Sequence, residues 1–134
     1  MSNAEDMEWL LSNLVAAVPQ TIGAVVTSSD GIPKHFHGVD QDDADAVSAV
    51  ASGVFSLCRG VSRFFPKDPK APAVQTILET SVGLMFAARV GDNSVLAVLA
   101  EQGVDVGVVG YQMRMLANRA APILGTPART AAAG

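Results

Sequence analysis

The chain has 134 residues, of which 49% are hydrophobic and 16% charged, and it carries a formal net charge of −4. That length suits one domain with one real core. So little charge excludes intrinsic disorder, which needs low hydrophobicity and high charge. Nine basic residues in no stripe, with 5 Phe, 1 Trp and 1 Tyr, exclude a basic nucleic-acid groove or a base-stacking platform. The single Cys58 excludes an internal disulfide and a multi-cysteine zinc site.

Met7, Leu10, Leu11, Leu14 and Val18 recur at three- and four-residue steps and predict a helix from about Glu5 to Val18. Glu5, Asp6 and Glu8 sit in its first turn, where the helix dipole favours acids, and Pro19 ends it. The β-branched run Ile22–Ser28 predicts a strand. Ser29-Asp30-Gly31 supplies a turn, and Ile32–Gly38 returns as an edge strand marked by Pro33, Lys34, His35 and His37. Asp40 is a good N-cap for a long helix from about Gln41 to Phe64. The three prolines between Pro66 and Pro72 mark a loop. Strands follow at about Ala73–Glu79, Val82–Val90 and Ser94–Glu101, with connections too short for a crossover helix, so they form an antiparallel meander. A last helix covers about Asp105 to Ala120, limited by Pro122. The order is α-β-β-α-β-β-β-α, an α+β fold in which three helices cover a five-stranded antiparallel sheet. Residues 1–122 form the single domain, and 123–134 read as a flexible C-terminal tail.

The longest apolar runs, such as Val95–Ala100, fall far short of the ~18 residues of a membrane span. The acidic start MSNAEDMEWL lacks the basic region of a signal peptide. The expectation is a cytoplasmic chain without membrane insertion. So apolar a chain is expected to hide surface against another chain.

The long middle helix carries the most information. Val47, Val50, Val54, Leu57 and Val61 form a bulky stripe suited to pack on the sheet. One residue earlier, Ala46, Ala49, Gly53, Ser56 and Gly60 repeat the same rhythm with only small residues. Glycine in a helix interior costs about 1 kcal/mol against Ala, so this second stripe needs a packing reason. Close approach of a second chain's helix is one; packing on another element of the same chain is the other. The third stripe, Ser48, Ser52, Phe55, Arg59 and Ser62, is expected in solvent. Phe55 near Arg59 and Arg63 has the composition of an interface anchor.

No catalytic constellation is present. GxxxxGK[ST], GxGxxG after a strand, HExxH and CxxC are all missing. His35 and His37 share one strand face and could join Asp40 in a metal site, or serve as ordinary edge-strand polar residues. No histidine stands at a helical step from Cys58, so it reads as a buried, inert thiol. Ser28 and Ser29 belong to the turn. Glu79 and Glu101 could pair across two strand ends. Met85, Met113 and Met115 are expected in the core. The chain is read as non-enzymatic, with no metal and no cofactor.

The runs VPQTIGAVVTSSDGIP, AVASGVFSLCRGVSRFF and VQTILETSVGLMFAARVGDNSVLAVLAEQGVDVGVVGYQM resemble the Roadblock/LC7 family over nearly the whole chain, from about Met7 to Ala120. Two pieces depart from the usual bacterial pattern. Glu79-Thr80-Ser81-Val82-Gly83 stands where an acidic-aromatic or Asp-Arg-Gly hairpin is frequent, and Tyr111-Gln112-Met113 where Tyr-Glu-Met is common. The resemblance implies a profilin-like Roadblock fold and a homodimer in which the middle helices pack together and the third strands pair edge to edge. Ala46, Ala49, Gly53, Ser56 and Gly60, with Val74, Thr76 and Leu78, fit that dimer interface. It also implies a regulator of a small Ras-like GTPase, acting beside a sensor kinase-like protein. Phe55, Arg59 and Arg63 would touch the GTPase switch regions. Two alternatives stay open: a scaffold with no effect on turnover, and a small-ligand sensor domain.

Overall fold

A computed structural model describes residues 3–124 and contains α1 (Asn3–Ala17), β1 (Thr21–Ser28), β2 (Pro33–His37), α2 (Gln41–Val61) continued by a 3₁₀ turn (Ser62–Phe64), β3 (Gln75–Glu79), β4 (Gly83–Val90), β5 (Ser94–Glu101) and α3 (Val106–Ala120). The predicted element order holds. Asp40 caps α2 by accepting the Asp43 amide at 2.8 Å, and Asp105 caps α3 by accepting the Val108 amide at 3.1 Å. The five strands form one antiparallel sheet in the order β2-β1-β5-β4-β3. The non-sequential β1–β5 ladder joins the first hairpin to the meander.

Strand alternation splits the core in two. On one face α1 and α3 cover Ala24, Val26, Leu84, Phe86, Leu96 and Val98 through Met7, Leu11, Leu14, Val109, Met113 and Leu116. On the other, α2 alone covers Val25, Met85, Ala87, Val95 and Ala97. Met115 lies on the outer side of α3, 38% exposed, and is not the core filler its setting suggested. Ile123 and Leu124, assigned to the tail, pack partly against the first core. The rest of the tail lies outside the described residues.

The structure turns α2 around relative to expectation. The helix rests on the sheet through Ala44, Val47, Ser48 and Ala51, with Phe55 packed partly on the same core. The stripe expected in solvent therefore contributes Ser48 and Phe55 to the sheet side. Val50, Leu57 and Val61, expected on the sheet, are exposed. The floor explains the exchange. Ala87 and Ala97 are register partners directly beneath the helix, so its backbone comes close and small side chains fit where a row of Val and Leu would not.

Exposing that stripe gives α2 an apolar outer side. With its 3₁₀ extension, Gln41–Phe64, it is 24 residues long and holds an 18-residue window with a mean hydropathy of 1.2, which by length and composition alone is enough to cross a membrane. This corrects the reading taken from short uninterrupted apolar runs. The apolar character is spread between small residues and serines, and one side of the helix is committed to the sheet.

The Ser48 hydroxyl is fully buried and has no hydrogen-bond partner among the described residues. Ser48→Ala removes an orphaned polar atom and adds a better helix former. It is expected to raise unfolding stability by about 1 kcal/mol, read as a higher urea midpoint at unchanged slope.

Candidate interaction surface

A helix lying on a sheet ordinarily presents polar residues outward. The outer side of α2 instead carries Ala46, Ala49, Gly53, Ser56 and Gly60, all exposed, beside Val50, Leu57 and Val61. Leu57 is 77% exposed. The apolar surface runs on past the helix end to Phe64, 76% exposed, and Phe65. Contiguous exposed apolar area of this kind marks an interaction site.

The glycines settle whether the small stripe serves this chain's own packing. A Cβ built on Gly53 or Gly60 meets nothing within 4 Å. Among the described residues nothing approaches α2 on that side, so the fold of one chain does not require those glycines.

The charges are graded along the helix. Asp42 and Asp43 occupy its first turn and Arg59 its last. Arg59, Arg63, Lys67 and Lys70 place four of the nine basic residues within positions 59–70. The Arg63 guanidinium lies 6.0 Å from the Phe64 ring centroid, within cation–π range. Arg59 donates to the Ser56 hydroxyl at 3.3 Å. Phe55 is half-buried. Its ring and Arg59 line a cleft of about 310 Å³ that is closed by the Ser29–Asp30 turn, Ser52, Ala73, Arg89 and Val95. Of the three predicted contact residues, Arg59 and Arg63 are exposed, while Phe55 belongs to the cleft wall.

Beside α2, β3 ends the sheet. Its ladder parity follows from two hydrogen bonds, Arg89 N–H to the Val74 carbonyl at 2.9 Å and Thr80 N–H to the Gly83 carbonyl at 2.8 Å. In an antiparallel pair such bonded positions recur every second residue. Val74, Thr76 and Leu78 therefore direct their backbone toward β4. Gln75, Ile77 and Glu79 offer theirs to the open margin. The sequence-predicted Val74, Thr76 and Leu78 contribute side chains on the α2 side, with Leu78 touching its core. Edge pairing itself would use the other three. Ile77→Pro deletes an outward N–H without removing a β3–β4 bond. It is expected to leave the monomer folded and to weaken self-association by roughly tenfold or more in sedimentation, one lost bond on each side of a two-fold axis.

Phe64 and Phe65 were missed by sequence reasoning, which assigned the strand Ala73–Glu79 to edge pairing without singling out its outward positions Gln75, Ile77 and Glu79. The Phe-Phe pair beside a basic run was the available signal for the first two. For the others, parity depends on where the hairpin closes, which composition does not give.

The remaining candidates have structural employment. Asp40 is spent on the α2 cap, away from a role with His35 and His37. The two histidines share the α1-facing side of β2. Burial, with Lys34 beside it, lowers the His35 pKa from its usual range, partly opposed by Glu8. Among the described residues no three His, Cys, Asp or Glu side chains gather as a metal site requires. Cys58 is half-buried on α2. The Ser28 hydroxyl accepts the Ile32 amide at 3.2 Å, inside the turn. Glu79 accepts the Gln102 side-chain amide at 3.0 Å, and β4 stands between its strand and that of Glu101.

The sequence model of the Roadblock/LC7 domain matches residues 7–100. A crystal structure of a Roadblock/LC7 domain from Streptomyces avermitilis shares 40% identity, covering 87% of this chain and 96% of that one, with a TM-score of 0.81. The gliding protein MglB from Thermus thermophilus has the same fold at 10% identity, covering 92% and 91%, with a TM-score of 0.81. Acanthamoeba castellanii profilin IB matches more loosely, at 10% identity and a TM-score of 0.55 over 84% and 94%. None of the curated proteins matches the chain. The chain belongs to the Roadblock/LC7 family.

Proposed function

We propose that this Roadblock/LC7 domain is a cytoplasmic, non-catalytic homodimer that binds a small Ras-like GTPase and stimulates its GTP hydrolysis by ordering the switch regions. The observation that carries the reading is the uncovered apolar side of α2. Its small residues are nearly palindromic about Gly53: Ala46 mirrors Gly60, and Ala49 mirrors the Ser56–Leu57 step. A two-fold axis through Gly53 makes such a stripe self-complementary. In the antiparallel sense it brings the acidic first turn of one helix against the basic last turn of the other, which both charge pairing and the helix dipoles favour. The β3 margin lies beside the same seam, so both contacts can close about one axis.

The paired helices would form the platform. Arg59 and Arg63, with Phe55 behind them in the cleft, rim it with positive charge, suited to a partner surface that carries nucleotide phosphate. Stimulation then comes from favouring the hydrolysis-competent arrangement of the switches, a population shift. Arg59 is anchored within a helix and bonded to Ser56, a poor starting point for an arginine finger, which has to reach into the partner. A sensor kinase-like protein is the further partner this reading expects.

The test is single-turnover GTP hydrolysis by a purified small Ras-like GTPase with and without this chain. Faster turnover is expected. Arg59→Ala with Arg63→Ala should raise the half-saturating concentration about 10- to 100-fold, the effect of losing one or two interface anchors, and leave the saturated rate near wild type. A fall of about a thousandfold in the saturated rate would instead assign a finger. Binding without stimulation makes the chain a scaffold. Absence of binding to either nucleotide state overturns the proposal.

A further inference from the structure

We propose that the loop following α2 attaches the chain to an anionic lipid surface, with Phe64 and Phe65 entering the headgroup layer and Arg63, Lys67 and Lys70 meeting lipid phosphates. Every residue from Arg63 to Lys70 is exposed, so this segment stands out from the body of the fold. Its shape is nevertheless held. The Ser62 hydroxyl donates to the Ala71 carbonyl at 2.8 Å and ties the two ends together. Successive turns fill the span: the Phe65 amide donates to the Ser62 carbonyl, the Asp68 amide to that of Phe65, and the Ala71 amide to that of Asp68. Pro66 and Pro69 restrict the backbone further. None of these bonds needs a Phe ring, yet Phe64 and Phe65 both face water.

Charge and shape specify the occupant. Positions 59–70 hold four basic residues and one acid, in a chain of net charge −4. Arg59, Arg89 and Asp30 line the cleft described above, and Asp92 is bonded to Arg89 through its carbonyl, so cations and acids balance there. Arg63, Lys67 and Lys70 remain. Among the described residues neither lysine ammonium has a hydrogen-bond or ion-pair partner, and the Arg63 guanidinium lies over the Phe64 ring. The one acid, Asp68, accepts the Lys70 amide at 3.3 Å inside the loop. The acidic first turn of α2 lies about 30 Å away along the helix, more than three screening lengths at physiological salt. The loop therefore meets a surface as a cationic tip, although the chain as a whole is acidic. A protein partner would have to supply a pocket for two adjacent rings on a protruding loop. A headgroup layer yields to them and needs no matching pocket. Apolar side chains beside a basic cluster are the paired signals that attachment to anionic lipid requires. The long basic stems let the charges stay among the phosphates while the rings go deeper. The loop rests on the membrane and spans nothing. The inference uses neither the α2 seam nor the GTPase reading, and each stands or falls separately.

The test is co-sedimentation of the purified full chain with sucrose-loaded vesicles, either of phosphatidylcholine alone or of phosphatidylcholine and phosphatidylglycerol in equal parts. Saturable binding to the anionic vesicles only, weakened by added salt, is expected. Lys67→Ala with Lys70→Ala should weaken it about 25-fold, roughly fivefold per cation at an anionic surface. Phe64→Ser with Phe65→Ser should weaken it by roughly tenfold or more through lost apolar burial. All four side chains are exposed, so both variants are expected to unfold at the wild-type temperature. Equal binding to neutral vesicles overturns the proposal, as does the absence of binding at millimolar lipid. Wild-type binding by the Phe64→Ser, Phe65→Ser chain leaves adsorption by charge alone and overturns it too. So does a fall in that chain's sedimentation mass without lipid, which assigns the two rings to a second copy.

Discussion

Gly53→Leu is expected to separate the proposed dimer into folded monomers, each half its mass in sedimentation equilibrium. The argument rests on two sides of one residue. Among the described residues, a Cβ at position 53 meets nothing within 4 Å, so the larger side chain finds open space. Leucine is also the better helix former, by somewhat less than the ~0.8–1 kcal/mol that separates glycine from alanine, and thermal unfolding of the monomer should not fall. Across the proposed seam, position 53 lies on the two-fold axis, so each substitution acts twice. Overpacking a close helix contact costs ~1–3 kcal/mol per site. Two sites give about 2–6 kcal/mol, a weakening of self-association by roughly 30-fold to more than 10⁴-fold. A dimer that persists with wild-type affinity would remove the α2 seam from the account.

Gly38→Ala is expected to act in the opposite way, destabilising the chain itself. Gly38 ends the first hairpin, where the chain leaves β2 for α2, with φ at +86°. An L side chain there carries ~1–2 kcal/mol of left-handed strain. Space is the greater obstacle. An added Cβ would collide with the Ile22 carbonyl oxygen and stand 2.9 Å from the Gly23 Cα. Both obstacles are backbone of β1, which the β1–β5 ladder holds in place. The total is of order 3 kcal/mol or more, among the larger effects of a single substitution, read as a lower urea midpoint. Gly38 is demanded by the chain's own backbone, whereas nothing among the described residues demands Gly53.

Most of the fold was legible because local and global signals agree. The apolar steps of α1, Met7 to Val18, are all buried, and the two aspartate caps fix the starts of α2 and α3 where predicted. The strands were legible because Gly and Pro punctuate them. The orientation of α2 was not. Amphipathicity identifies a buried side by contrast, and α2 is apolar on two sides, so size alone was left to decide and favoured the bulky stripe. Only the sheet beneath, with Ala87 facing Ala97, reveals that the side carrying Ala44, Val47, Ser48 and Ala51 faces inward. The candidate site inherited that ambiguity. Its small stripe stood apart in the sequence, and Leu57, Val61, Phe64 and Phe65 joined it only once the helix was seated.

The other margin of the sheet bears on how large an assembly can grow. β2 is five residues long, begins with Pro33, and commits the Lys34 ammonium to Ser94 of β5, across β1, at 3.0 Å. Proline and lysine on a short border strand discourage further pairing. Two chains joined through β3 would thus carry blunted borders at both outer ends. Strand addition would end after a single union, making a finite particle of two rather than a ribbon or fibril.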